Sequence, residues 1–210
     1  MTAEINPKDT DREQAFRLWM HAPNPMITLI KTFDVTPLVR FSHKHHLKFN
    51  MLMNYCIGKA AVSVKEFFIL PVGEKLIQYD SLAVNCIVKN CKNGINSCDI
   101  RFSDDLKIFN RRYLRSTAHC SQTCTDADLS ASCMVIGTSA VTETELDGAV
   151  SLYTGMFNNP FLIWGKYRKT LCRYRLPISF QFHHTQMDGA HAGRFLANLQ
   201  TEINQFKYGR

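Results

Sequence analysis

The stretch Leu176-Pro-Ile-Ser-Phe-Gln-Phe-His-His-Thr-Gln-Met-Asp-Gly189 decides most of the fold that this sequence predicts. Its first half alternates large apolar residues with other residues, which is typical of a half-buried β-strand over residues 176–182. The residues on the apolar side are Leu176, Ile178, Phe180 and Phe182. The strand runs into His183-His184, and a helix is predicted from about Ala190, with Asp188 near its cap. A strand therefore delivers two histidines to a short loop before a helix.

Strands and helices alternate irregularly around this unit. Further helices are predicted over residues 9–19, from an N-cap at Thr36 with Pro37 in the first turn, over 49–63, and over 103–116. Further strands are predicted over residues 26–33, 76–79, 82–88, 133–140 and 160–164, with loops over 89–97 and 117–131. This mixture favours an α+β fold, a two-layer α/β sandwich with a large mixed β-sheet, over a doubly wound sheet. We expect residues 1–210 to form a single domain.

Length and composition exclude several classes of protein. The chain has 210 residues, of which 45% are hydrophobic, and 10 Gly and 7 Pro are too few for a linker-rich or disordered chain. No apolar run reaches the roughly 18 residues that a membrane span needs. The polar start at residues 1–8 does not resemble a signal peptide. We therefore expect a soluble, cytoplasmic protein that neither spans nor binds a membrane.

The net charge of +7 suits an anionic partner, either a nucleic acid or a phosphate-bearing cofactor. The basic residues are dispersed, with local groups at residues 43–48 and 166–175, and neither group carries a nucleic-acid-binding motif. We interpret them as a solvated basic face and expect no nucleic-acid partner. The eight cysteines include Cys120 and Cys124 beside His119, but no pair has the two-residue spacing of a zinc knuckle, so we expect reduced thiols and no metal site.

The paired histidines are the best candidates for catalysis. Consecutive strand residues point to opposite faces, so only one of His183 and His184 can face a given cavity. A neutral imidazole can accept a proton from a hydroxyl or thiol and return it to a leaving group. Gly189, next to Asp188, permits a turn that other residues resist. The alternative is a buried, hydrogen-bonded histidine pair followed by an N-capping aspartate.

The stretch from Gln181 to His191 resembles the active-site signature of the chloramphenicol acetyltransferase family. That signature consists of Gln, an apolar residue, His-His, a small residue, two variable positions, Asp-Gly, an aromatic residue and His. Thr185, Phe182 and Ala190 differ from the usual residue types. The same spacing occurs in dihydrolipoyl acyltransferases and in condensation domains of peptide synthetases. Other family-like positions are Arg12 with Phe16, residues 34–36, Lys48-Phe49, residues 76–81, Lys166-Tyr167 and the C-terminal helix.

The resemblance implies a CoA-dependent acyltransferase fold and an activity. The chain would transfer an acetyl group directly from acetyl-CoA, as co-substrate, to a hydroxyl of a small-molecule acceptor. Chloramphenicol is one candidate acceptor, which would make antibiotic resistance a role. His184 would be the general base and His183 would be structural. The resemblance also implies a homotrimer, with the site between subunits.

The resemblance assigns supporting residues as well. Asp188 would form a salt bridge with Arg12 and hold the loop that orients His184. Residues lining the acceptor pocket would be Phe16, Leu18, Trp19 and Ile163.

One position departs from the family in a way that bears on catalysis. The family supplies a serine hydroxyl to the oxyanion, and an ungapped count back from His184 places that position at Gly137. Thr138 and Ser139, which follow it, are therefore the candidate oxyanion donors. The alternative function is a catalytically weakened or inactive homologue that binds an aromatic ligand or acylates a different acceptor.

Overall fold

A computed structural model describes residues 2–208 of the chain, apart from the side chain of Tyr208. Five α-helices lie within these residues: α1 (Glu13–Trp19), α2 (Thr36–His45), α3 (Phe49–Val62), α4 (Leu106–Thr123) and α5 (Gly189–Gln205). The strands there are β1 (Thr2–Ile5), β2 (Met26–Asp34), β3 (Ile69–Val72), β4 (Lys75–Tyr79), β5 (Leu82–Lys89), β6 (Ile95–Arg101), β7 (Met134–Ala140), β8 (Phe161–Trp164), β9 (Arg168–Thr170) and β10 (Arg173–His183). None of these helices is long and apolar enough to cross a membrane.

The larger sheet is mixed. Its strand order is β2-β10-β8-β7-β5-β6, and β9 pairs with the start of β10. Strand β10 runs antiparallel to β2 and β8, whereas β7 runs parallel to β8 and β5. A separate small sheet has the order β1-β4-β3. The predicted α+β two-layer sandwich with a large mixed sheet is therefore confirmed.

The hydrophobic core lies between the helices and one face of the larger sheet, which we call the inner face. Strand β10 contributes the four apolar residues that its alternation predicted, all of them fully buried: Leu176, Ile178, Phe180 and Phe182. Helix α3 is apolar on most sides and is buried along most of its length, because it packs against both α5 and the sheet. The opposite, outer face of the sheet is covered in part by the segment 141–160.

Two segments that were predicted as loops are partly regular structure. Helix α4 continues through Thr123, so the prediction of a loop over 117–131 is wrong for residues 117–123, which form the last two turns of the helix. Thr117 donates its hydroxyl to the carbonyl of Tyr113, and Cys120 is buried on the same side of the helix, so packing outweighs the weak helix propensity of the Ser and Thr residues. The predicted loop over 89–97 is a turn followed by β6, and Asn90 closes that turn by accepting from the backbone N–H of Gly94.

Two helix starts also differ from their predictions. Thr36 is inside α2 rather than at its cap, because the carboxylate of Asp34 accepts from the Thr36 backbone N–H at 3.1 Å. Pro37 lies in the first turn, as predicted. Helix α1 begins only at Glu13, after a short 3-10 turn over Pro7–Asp9.

Candidate active site

His183 closes β10 on the outer face of the sheet, where it is 1% exposed. Its Nδ1 accepts a hydrogen bond from the backbone N–H of Thr185 at 3.1 Å. Burial, and then the neighbouring His184, lower the pKa of His183 to about 4. The imidazole of His183 is therefore neutral at physiological pH and fixes the turn that follows the strand.

His184 is held by its backbone and by its ring. Its N–H donates to the carbonyl of Pro25 at 2.8 Å, and its carbonyl accepts from Nη2 of Arg12 at 2.8 Å. Its ring stacks on Trp19, with centroids 4.5 Å apart and an angle of 7° between the planes. The Nδ1 atom is buried and has no hydrogen-bond partner among the described residues. The ring plane of His184 is thus set by Trp19, which the sequence placed only in the acceptor pocket.

Arg12 connects the segment before α1 to the loop after β10. Its side chain is 4% exposed and makes three hydrogen bonds: Nε donates to the Thr185 carbonyl, Nη2 to the His184 carbonyl and Nη1 to the Asp188 carboxylate at 3.1 Å. The contact that the sequence predicted between Arg12 and Asp188 is present. Since a planar guanidinium presents several donors in a fixed geometry, one side chain can fix this whole loop.

Asp188 also caps α5. Its carboxylate accepts from the N–H groups of Ala190 and His191, and Nδ1 of His191 accepts from the Asp188 N–H, which completes a capping box. Burial alone would raise the pKa of Asp188, but hydrogen bonds from the backbone N–H groups of Ala190 and His191 and from the Arg12 side chain lower it overall. The carboxylate therefore stays ionised at neutral pH. Gly189 begins the helix without a positive φ, so the turn role predicted for it is not needed.

Glu66 extends this network, and sequence reasoning missed it. Its carboxylate is almost fully buried, and Nε2 of His191 lies 3.3 Å from one of its oxygens. Because Nδ1 of His191 accepts from the Asp188 N–H, a neutral His191 carries its proton on Nε2, which lies close to Glu66 without forming a hydrogen bond to it. An isolated Glu in Lys65–Phe68 gives no sequence signal of this role.

A cavity of about 540 Å³ opens on the outer face of the larger sheet. Strand residues on its wall include Asn85, Ser97, Asp99, Gly137, Phe161 and Gln181. Loop residues on its wall include Asp126, Asp128, Ser130, Leu152, Tyr153 and Phe157. The volume is in the range of small-molecule sites, and the wall combines aromatic groups with a few polar ones.

In this wall, Gly137 leaves room for the ring of Phe161. A Cβ atom at Gly137 would lie 2.3 Å from Cδ2 of Phe161, its cross-strand neighbour, so the Phe161 ring occupies the space of a side chain. Thr138 points to the inner face and donates its hydroxyl to the carbonyl of Asn85 at 2.7 Å, so the structure does not bring it to the cavity. Ser139 shares the outer face with Gly137 and pairs with Ile163, but neither of these two lines the cavity.

The structure brings only some of the predicted site residues together. Arg12, Trp19, His183, His184 and Asp188 form one cluster at the end of β10. Two further α1 residues were predicted to line the acceptor pocket, but neither lies on the wall of the cavity: Phe16 and Leu18. His184 is not on that wall either, so within one chain the histidine and the cavity are separate features.

Basic side chains gather elsewhere, around a second cavity of about 880 Å³. It lies between α2, the turn before β10 and the C-terminal residues, and its basic lining consists of Arg40, Lys44, His45, Arg173 and Lys207. These residues come from three separate parts of the chain, at 40–45, 173 and 207, which the fold brings together. No residue of the His184 cluster lines this cavity.

Comparisons with known proteins agree on the family. The model of the chloramphenicol acetyltransferase family matches residues 2–200. Chloramphenicol acetyltransferase 2 of Escherichia coli is 27% identical over 196 residues, which cover 90% of this chain and 91% of that protein. Chloramphenicol acetyltransferase 3 of Escherichia coli is 25% identical over 212 residues, which cover 96% of each chain.

Solved structures show the same fold. A chloramphenicol acetyltransferase structure superposes with a TM-score of 0.83 at 18% identity, covering 97% of this chain and 100% of its own. A probable dihydrolipoamide acetyltransferase from Listeria monocytogenes superposes with a TM-score of 0.71 at 12% identity, covering 99% of this chain and 96% of its own. With the family model matched along nearly the whole chain, this protein is an acyltransferase that belongs to the chloramphenicol acetyltransferase family.

Proposed function

We propose that this protein transfers an acetyl group from acetyl-CoA to a hydroxyl of a small-molecule acceptor, with His184 as the general base. The observation that carries this proposal is the fixed imidazole of His184. Its ring is stacked on Trp19 and its backbone is bound from both sides, by Pro25 and by Arg12. General bases act efficiently when they are held in a productive orientation before the substrate arrives.

The reaction needs one proton acceptor and no covalent intermediate on the protein. His184 removes the proton from the acceptor hydroxyl as its oxygen attacks the thioester carbonyl of acetyl-CoA. The tetrahedral intermediate then collapses, the C–S bond breaks, and the imidazolium returns the proton to the departing CoA sulfur. The products are the acetyl ester and CoA with a free thiol. Both substrates must be bound together for this direct transfer.

Arg12 and Asp188 act as positioning residues in this proposal. Arg12 holds the carbonyls of His184 and Thr185, and Asp188 keeps the guanidinium in place while capping α5. Neither side chain needs to touch substrate, because the pair of a buried Arg12 and a half-exposed Asp188 acts through the backbone of the loop. His183 is structural, since its Nδ1 is occupied and its pKa of about 4 keeps it neutral.

A homotrimer would bring together the His184 cluster and the cavity, which are separate within one chain. We propose that His184 of one subunit faces the cavity of a neighbouring subunit. Support comes from apolar side chains of the segment 141–160 that lie beside the cavity and are open to solvent in one chain, such as Leu152 (87% exposed) and Phe157 (69% exposed). Exposed apolar groups of this size commonly mark an interface with protein or ligand.

The cavity is the proposed acceptor site. Its aromatic wall, formed by Phe157, Phe161 and Tyr153, suits a ring-bearing acceptor such as chloramphenicol. With no side chain at Gly137 and Thr138 facing the core, Ser139 remains the outer-face hydroxyl of β7. Ser130 adds a hydroxyl on the cavity wall itself. Turnover of the Ser139→Ala and Ser130→Ala variants shows which serine is the oxyanion donor, because losing that donor lowers the turnover rate by about 100–1,000-fold.

The decisive experiment measures release of the CoA thiol from acetyl-CoA in the presence of chloramphenicol or a panel of other hydroxyl acceptors. We expect His184→Ala to lower the rate by about 100–10,000-fold, the range for a general base, without changing the assembly or the melting temperature. His119→Ala is the matched control, because His119 is an exposed histidine on α4. A His184→Ala variant that keeps the wild-type rate would contradict the proposal.

The second candidate function is a weakened or inactive homologue that binds an aromatic ligand. The Gly137 position, filled by the ring of Phe161, favours it, because the family serine predicted there is absent. Such a protein would show ligand-induced thermal stabilisation with no thiol release for any acceptor. Rapid, His184-dependent release excludes it.

A further inference from the structure

Two of the eight cysteines place their thiols in contact at the surface. Cys91 lies in the turn between β5 and β6, Cys124 ends α4, and their Sγ atoms are 3.5 Å apart. Cys91 is exposed, Cys124 is half-buried, and Cys172 is a third solvent-accessible thiol far along the chain. The other five are buried: Cys56, Cys86, Cys98, Cys120 and Cys133. The contact therefore joins two of the three thiols that a reagent in solution can reach.

The backbone already holds this geometry in place. The N–H of Cys91 donates to the carbonyl of Ser121 at 2.9 Å, and the hydroxyl of Ser121 donates to the carbonyl of Lys89 at 3.0 Å. The turn and the end of α4 are thus bound together on either side of the thiol pair. A disulfide needs its sulfurs about 2.05 Å apart, so the two sulfurs must approach by roughly 1.5 Å for the bond to form.

We propose that Cys91 and Cys124 form a reversible intramolecular disulfide, which is a redox modification site of this fold and does not depend on the proposed function. The oxidant is a low-molecular-weight disulfide such as glutathione disulfide. The thiolate of one cysteine attacks a glutathione sulfur, a mixed disulfide forms, and the first glutathione leaves as a thiolate that takes up the proton. The second cysteine then attacks the mixed disulfide and releases the second glutathione, also as a thiol.

The bond would cross-link two segments that build one wall of the cavity. Strand β6, after Cys91, carries Ser97 and Asp99, and the segment after Cys124 carries Asp126 and Asp128. Oxidation would link these two segments covalently at one end and so limit the movement of that wall of the cavity. The hydrogen bond with Cys124 raises the pKa of Cys91, so oxidation should be slow at neutral pH and faster as pH rises.

The test compares thiol counts and peptide maps of the native protein before and after incubation with glutathione disulfide. We expect three accessible thiols in the reduced wild type and one after oxidation. A cross-linked peptide pair containing Cys91 and Cys124 should appear, and dithiothreitol should reverse the change. Closing this loop should raise the melting temperature by about 5–10 °C, because the bond restricts the unfolded chain.

Two variants serve as matched controls. Cys172→Ser should go from two accessible thiols to none and keep the cross-link, whereas Cys91→Ser should form no cross-link and show no rise in melting temperature. Glutathione attached separately to Cys91 and Cys124, or disulfides between chains in place of the internal bond, would overturn the proposal.

Discussion

Alternate residues of one strand, β10, meet two different environments. On the inner face, Phe180 is fully buried and its ring packs against Phe195 and Phe67 at centroid distances of 4.7 and 6.1 Å. On the outer face, Ser179 and Gln181 form hydrogen bonds with the segment that covers the sheet. The inner face stabilises the fold through non-directional burial, whereas the outer face uses directional polar contacts to position the cavity and the histidine loop.

The largest effect on stability should come from the inner face. Phe180→Ala should lower the free energy of unfolding by about 3–5 kcal/mol, because it removes a buried ring and leaves a cavity. Ser179→Ala, the adjacent outer-face change, should cost about 1 kcal/mol through the lost acceptor for the Ala149 N–H. Urea unfolding of both variants measures the difference. Equal losses of unfolding free energy in the two variants would show that burial on the inner face does not contribute more to stability than the polar contacts of the outer face.

Substitutions that release the loop after β10 should lower the free energy of unfolding by nearly as much. Arg12→Ala should lower the free energy of unfolding by about 2–3 kcal/mol, because it leaves the carbonyls of His184 and Thr185 without their donor. Arg17→Ala, at an exposed position of α1, should stay within about 0.5 kcal/mol of wild type. Thermal and urea unfolding test both variants. A similar, small cost for the two would mean that Arg12 does not hold the loop.

Protonation of His183, on the outer face of the sheet, should make the free energy of unfolding depend on pH. Its folded pKa of about 4 lies below the ordinary histidine value near 6.5, so the unfolded chain binds a proton more readily. The contribution of neutral His183 to the free energy of unfolding is complete above about pH 6.5. It is lost as pH falls toward 4, and the free energy of unfolding decreases by at most about 1.4 kcal/mol per pH unit.

The matched variant for this effect is His183→Asn, whose side-chain oxygen can replace Nδ1 as acceptor for the Thr185 N–H. Unfolding of both proteins between pH 4 and 7 should show a flatter profile for His183→Asn. Parallel profiles would exclude His183 as the source of the pH dependence.

A substitution in the cavity wall should cost less stability than one in the inner face. Gly137→Ser should cost about 1–3 kcal/mol, because its Cβ would overlap the Phe161 ring. Combining it with Phe161→Ala should reduce that cost, which a double-mutant cycle measures. Gly193→Ser on α5 has open space at its Cβ position and should be near neutral. Full additivity of the pair at Gly137 and Phe161 would contradict the packing argument.

How well the sequence predicted each element depended on the range of the interactions that decide it. The alternation of β10 is a local pattern, and the buried side of this strand was predicted correctly. Helix α4 was predicted too short, because the burial of Cys120 depends on the sheet beneath it and the local Ser and Thr content favours a loop. Strand β6 was missed because its pairing with β5 outweighs the Asn and Gly residues at its start.

The sequence by itself determined the fold class, the inner face of β10, and the histidine loop with its Arg12–Asp188 pair, the last through the family resemblance. Only the tertiary structure decided that Trp19 stacks on His184, that Glu66 contacts His191, and that Phe161 fills the space beside Gly137. It also separated Thr138 from the cavity and brought Cys91 to Cys124. The physical reason is that alternation and capping act between near neighbours in sequence, whereas these contacts join residues whose proximity is set by strand pairing and packing.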